Sequence, residues 1–115
     1  MPITSRMEGD ICIAVFDEAK MLDEAVINEV GDELNKLVDN NKGGKLLIDF
    51  NNVTFMSSSM IGKVVFLEKG CKANGVDLRL CSINPNIMEA ITLLNLDQML
   101  EIYGTVGEAI AAFDG

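Results

Sequence analysis

The chain has 115 residues, 49% of them apolar, and a net charge of −9. That length and composition suit one packed domain with a single hydrophobic core and argue against a disordered chain. The nine Lys and Arg residues are scattered among eighteen acids, which argues against DNA, RNA or an anionic membrane surface as partner and favours a protein with a basic surface.

Residues 1–9 read as a short strand or arm ending at Gly9. Asp10 to Phe16 is apolar and rich in β-branched residues, the pattern of a strand. Asp17-Glu18-Ala19-Lys20 breaks it as a loop. Asp23 is placed to cap a helix over 24–38, in which Val26, Ile27, Val30, Leu34, Leu37 and Val38 recur at helical spacing. Gly31 in its middle costs about 1 kcal/mol against alanine and permits close packing.

Asn40-Asn41-Lys42-Gly43-Gly44 is a turn. Lys45 to Phe50 follows as a central strand, and its unbroken Leu46-Leu47-Ile48 run predicts burial on both faces. Asn51-Asn52 turns the chain, and Val53-Thr54-Phe55 is an extended link into Ser57-Ser58-Ser59. A helix is expected from Met60 to Lys72, with Met60, Ile61, Val64, Val65, Leu67 and Cys71 toward the core and Lys63, Glu68, Lys69 and Lys72 solvated. The three serines therefore stand where a strand hands over to a helix. A helix start carries unpaired N–H groups and partial positive charge, so it accepts a serine cap and tolerates an added anion.

Asn74-Gly75 ends that helix. Val76 to Ile83 alternates and reads as a strand. Asn84 caps the next helix with Pro85 in its first position; Ile87, Met88, Ile91 and Leu94 form its apolar side. Asn95 to Gln98 leads out to a short strand over Met99–Tyr103. Thr105 caps a last helix through Phe113, and Thr105-Val106-Gly107-Glu108 matches the capping box. Strands alternating with helices predict a mostly parallel sheet with right-handed crossovers.

The chain has no histidine, which removes the commonest general base and metal ligand. Cys12, Cys71 and Cys81 show no CxxC spacing, so they read as buried, reduced thiols rather than a metal site or a disulfide framework. No Gly-rich phosphate loop or plausibly spaced carboxylate pair is present, and the expectation is no enzyme, no cofactor and no metal. No apolar run approaches the ~20 residues of a membrane span. The N-terminus lacks the apolar core of a secretory leader, so a cytoplasmic protein without direct membrane insertion is expected.

The order of elements, the strand Lys45–Phe50, the link Asn52-Val53-Thr54-Phe55-Met56 and the turn Ser57-Ser58-Ser59-Met60-Ile61-Gly62 together resemble the STAS domain of bacterial anti-sigma-factor antagonists. Gly75 to Leu80, Asn84-Pro85, Ile91 to Asp97 and Tyr103 to Ala109 extend the resemblance over about residues 9–113. It implies an α/β fold: a single domain over residues 1–115, with a mixed, mostly parallel β-sheet and about four α-helices.

It also implies a regulatory binding module whose partner is an anti-sigma factor with serine-kinase activity. In the family a serine following an aspartate is phosphorylated by that partner, and only the unphosphorylated form binds it. The acceptor position falls on Ser58. Ser57 stands where the family has aspartate, Met60 replaces the first glycine of the turn, and Gly62 keeps the second. The partner-binding candidates are Asp23, Ser57, Ser58, Ser59, Met60 and Gly62. Met21, Met56 and Met60 are candidates for an adaptable binding edge, with core packing expected for at least one. A STAS subunit docked on a lipid or anion transporter, or an assembly module of a sensory complex, each without phosphorylation, is the alternative. The oligomeric state stays open, a homodimer included.

Overall fold

The run Leu46-Leu47-Ile48 decides the layering. In the computed structural model, which describes residues 2–114 (Asp114 by its backbone alone), these side chains alternate across a sheet. Leu46 and Ile48 join one apolar cluster with Cys12, Ala14, Leu78 and Leu80. Leu47 points the other way and packs with Ile11, Ile13, Cys81, Ala109 and Phe113. Both faces are therefore dry, as the unbroken apolar run predicts. The expected domain bounds at residues 1 and 115 lie outside the described residues.

The elements run β1 (Ile3–Glu8), β2 (Ile11–Phe16), β3 (Lys20–Met21), α1 (Glu24–Asn40), β4 (Lys45–Asp49), β5 (Phe55–Met56), α2 (Ser58–Ala73), β6 (Asp77–Cys81), α3 (Pro85–Leu93), a 3-10 turn (Leu96–Gln98), β7 (Ile102–Tyr103) and α4 (Val106–Asp114). Among the described residues, five strands form one sheet in the order β1-β2-β4-β6-β7. β1 is antiparallel to β2; the other neighbours are parallel. Gly9, at φ +60, makes the tight β1–β2 turn. Helices α1, α2 and α3 bury Ile27, Val30, Leu34, Val38, Met60, Val64, Leu67, Ile87 and Ile91 on one face, and α4 covers the other.

Several boundaries differ from the sequence expectation. Helix α2 begins at Ser58 rather than Met60, because Ser57 is its cap. The strand expected over Val76–Ile83 is confined to Asp77–Cys81; Ser82, at φ +61, turns the chain out of the sheet. The strand expected over Met99–Tyr103 is reduced to Ile102–Tyr103, because the amides of Met99 and Leu100 fold back onto the Leu96 carbonyl at 3.1 Å each. Leu94, expected in the core, is 58% exposed, and Glu68, expected in solvent, is 7% exposed. Burial raises the Glu68 carboxyl above the usual carboxylate range, opposed by Lys72 and reinforced by Glu101 and Asp77.

The three cysteines are free and buried. Burial pushes the Cys71 thiol up to about 12 and the Cys81 thiol to about 11. Both stay protonated at neutral pH and pack as small hydrophobes.

Candidate functional site

A second sheet that the sequence did not disclose builds the site. Lys20-Met21 and Phe55-Met56, expected as loop and link, pair in parallel with Lys20 opposite Phe55 and Met21 opposite Met56. The amide of Thr54 donates to the Ala19 carbonyl at 2.7 Å, and the amide of Ser57 donates to the Met21 carbonyl at 3.0 Å. Each strand leads directly into a helix, β3 into α1 and β5 into α2. Because the strands run the same way, the pairing sets the starts of α1 and α2 side by side.

Asp23 caps α1. Its Oδ1 accepts the Ala25 N–H at 2.8 Å, and its side chain is exposed. Ser57 caps α2 from extended backbone (φ −72, ψ 166), with Oγ accepting the Met60 N–H at 3.3 Å. Serine and aspartate are near-equal caps. Ser57 in place of the family aspartate therefore keeps the cap and removes a charge.

Ser58 and Ser59 are the first two residues of α2, both exposed. Their hydroxyls and amides take no hydrogen bond among the described residues. The local arrangement thus separates two jobs. Ser57 holds the helix, and the next two hydroxyls project from a helix start whose amides carry partial positive charge.

Met60, expected toward the core and also among the partner contacts, keeps only the first place. It is fully buried, as is Met21, and Met56 is 7% exposed. All three methionines pack in the main core, so they form no adaptable edge and Met60 presents no side chain to a partner. The glycine-to-methionine replacement adds core volume rather than surface bulk. The apolar groups that do face solvent here are Leu22 at 54%, Phe55 at 48% and Phe66 at 72% exposed. Phe66 was detectable in the sequence, since it falls off the buried stripe of α2. Phe55 was not, because a two-residue strand shows no alternation until its partner is known.

Two depressions flank the start of α2. On the α1 side, Glu24, Asn28, Ser59, Gly62, Lys63 and Phe66 line about 190 Å³. Gly62 belongs to this wall, and a Cβ added there meets nothing within 4 Å. On the α3 side, Thr54, Phe55, Met56, Ile61, Asn86, Ile87 and Ala90 line about 150 Å³. The structure thus brings Asp23, Ser57, Ser58, Ser59 and Gly62 to one end of the molecule and withdraws Met60 into the core. Among the described residues, no group of three or more Cys, Asp or Glu side chains is placed to hold a metal ion. Among the described residues, no helix is long and apolar enough to cross a membrane.

The STAS domain family model matches residues 4–109, nearly the whole chain. The chain belongs to the STAS domain family. A Thermotoga neapolitana protein named as an anti-sigma factor antagonist is 30% identical over 76 residues, spanning 65% of this chain and 67% of that protein. A STAS domain protein from Planctomyces limnophilus has the same fold, with a TM-score of 0.85, 23% identity and 98% coverage of each chain. The phosphorylated form of the Bacillus cell fate determinant SpoIIAA superposes with a TM-score of 0.70 at 16% identity, covering 96% of this chain and 98% of that one. The STAS fold accounts for the sheet order and for the four helices among the described residues.

Proposed function

We propose that this STAS domain acts as an anti-sigma factor antagonist. It binds an anti-sigma factor with serine-kinase activity through the turn at Ser57–Ser59, and phosphorylation of Ser58 releases that partner. The observation that carries this reading is the exposed Ser58 hydroxyl, unbonded in the first position of α2 while Ser57 does the capping. A kinase can reach it without unmaking the fold. A phosphoryl group there adds nearly two negative charges and three acceptor oxygens beside unpaired helix amides, where an anion is tolerated.

Asp23, Ser59 and Gly62 complete the contact surface. Asp23 stands on the neighbouring helix start, and Gly62 leaves the α1-side depression open. A phosphate at Ser58 adds negative charge to a surface that already carries Asp23 and Glu24 together with Lys20 and Lys63, which changes the charge a partner meets. The naming of a Thermotoga relative as an antagonist, and the existence of a phosphorylated form of a fold neighbour, support the same reading.

The test uses the purified serine-kinase anti-sigma factors of the source genome with ATP. Intact mass rises by about 80 Da, one phosphoryl group, in the wild type and not in Ser58→Ala. Ser58→Glu lowers affinity for the same kinase by about 30-fold or more, some 2 kcal/mol. An unchanged mass with every kinase, or equal binding by Ser58→Glu, refutes the switch.

A further inference from the structure

The five-stranded sheet has two open edges, and they are built differently. β7 is two residues long and offers little to pair with. β1 is six residues long and runs in unbroken register with β2, with no bulge and no proline or lysine between Ile3 and Glu8. Those are common devices that keep a free edge from pairing, and this edge lacks them.

The hydrogen-bond phase of β1 shows which of its backbone groups are free. The Asp17 amide donates to the Pro2 carbonyl at 2.7 Å, so Pro2 and Asp17 form a hydrogen-bonded pair. Such pairs alternate along an antiparallel ladder. In the register of β1 on β2, Thr4, Arg6 and Glu8 therefore bond to Val15, Ile13 and Ile11. Ile3, Ser5 and Met7 turn their backbone groups away from β2, toward the open edge.

The side chains at that edge complement a reversed copy of themselves. Arg6 and Glu8 are exposed, and among the described residues neither forms an ion pair. Met7 between them is 60% exposed. A two-fold axis at Met7 sets Met7 opposite Met7 of a second copy, and sets Arg6 opposite Glu8 twice over. Met7 then supplies the central hydrogen-bonded pair. Arg6 and Glu8 fall in the pairs without backbone bonds, where opposed side chains come closest. An axis at Arg6 would set base against base, and one at Ser5 would leave both charges unmatched. β1 carries one base and one acid in a chain of net charge −9, so this pairing adds no like-charge contact.

We propose that β1 is a homodimer interface, in which β1 of two copies pairs antiparallel about Met7 and joins their sheets into one. Two short strand edges bury less than a standard interface, so the association is weak and reversible. Met7 stands opposite Cys12, and Cys12 opposite Leu46 near the start of β4, whereas the serine turn lies beyond the other end of β4. The pairing therefore leaves the serine turn of each copy open, and it stands independently of the function proposed above.

Sedimentation velocity of the full chain from about 10 μM to about 1 mM covers the range expected of so small an interface. Wild type passes from monomer to dimer as concentration rises, and exchange of the Met7 amide slows with it. Met7→Pro removes the outward N–H but keeps the ladder to β2, so it stays folded and monomeric. Glu8→Arg sets base against base at both pairs and weakens the dimer roughly tenfold. Arg6→Glu/Glu8→Arg exchanges the charges and restores affinity to within about twofold. A monomer throughout the range overturns the proposal. So does a dimer that tolerates Met7→Pro, that ignores Glu8→Arg, or that the charge exchange fails to restore. Should Met7→Pro unfold the chain, the two charge variants decide alone. Concentration-dependent amide protection centred away from β1 also overturns it, in favour of another self-contact.

Discussion

Two strand-to-helix turns in this protein share one capping geometry and differ in what they do with it. At the Asn84 turn, Oδ1 accepts the Ile87 N–H at 2.8 Å and Nδ2 reaches the carbonyls of Val53 and Thr54 at 3.4 and 3.0 Å. Pro85 follows and has no N–H to offer. Both polar groups of the Asn84 side chain are committed to the fold. At the Ser57 turn the cap bond is longer, 3.3 Å, and the next two residues are exposed serines with no hydrogen bond among the described residues. The first turn braces the structure, and the second leaves donors and acceptors for something else. The brace serves the free turn, because Asn84 anchors the segment that leads into Ser57.

The largest effect expected from breaking this contrast is at Asn84. Asn84→Ala removes a cap and two bridging hydrogen bonds and lowers stability by about 2 kcal/mol in urea unfolding. Asn84→Asp keeps the cap and loses the bridge, so about half of that loss is expected; a loss equal to that of alanine would place the whole role in the bridge.

Ser57→Ala removes a single long cap bond and costs about 1 kcal/mol, whereas Ser57→Asp is neutral to within about 0.5 kcal/mol because aspartate caps equally well. A large cost for Ser57→Asp would mean that the serine does more than cap. Gly62→Ala raises stability by up to about 1 kcal/mol, since a Cβ there meets nothing within 4 Å and alanine is the better helix former. If partner affinity falls in the same variant, the glycine is kept for contact rather than folding.

Ser58→Ala and Ser59→Ala should shift stability by no more than about 0.5 kcal/mol, since neither hydroxyl holds the fold. A larger loss in either would erase the distinction between the two turns.

Much of this was legible in the chain itself. Hydrophobic periodicity located the helices, and the caps Asp23, Asn84 and Thr105 were readable from residue type and position; Thr105 Oγ1 accepts the Glu108 N–H at 3.1 Å. The family could be identified from the ordered motifs. What misled was burial near the turn. Met60 was read both as a core residue of α2 and as a partner contact; its full burial bears out the first and withdraws its side chain from the second. Glu68 and Leu94 exchanged their expected environments because long or terminal helical side chains follow neighbouring elements rather than periodicity alone.

The sequence by itself determined the layered α/β architecture, since an apolar run as continuous as Leu46-Leu47-Ile48 can be satisfied only between two covering layers. It also determined that Ser58 sits at a helix start. Only the tertiary structure decided which serine caps and which are free. That choice depends on pairing between Lys20-Met21 and Phe55-Met56, segments far apart in the chain and too short to show a period. The same pairing sets Asp23 beside the serines and turns Phe55 outward. A surface made by long-range register has no local signature, and so the site's position was readable while its working face was not.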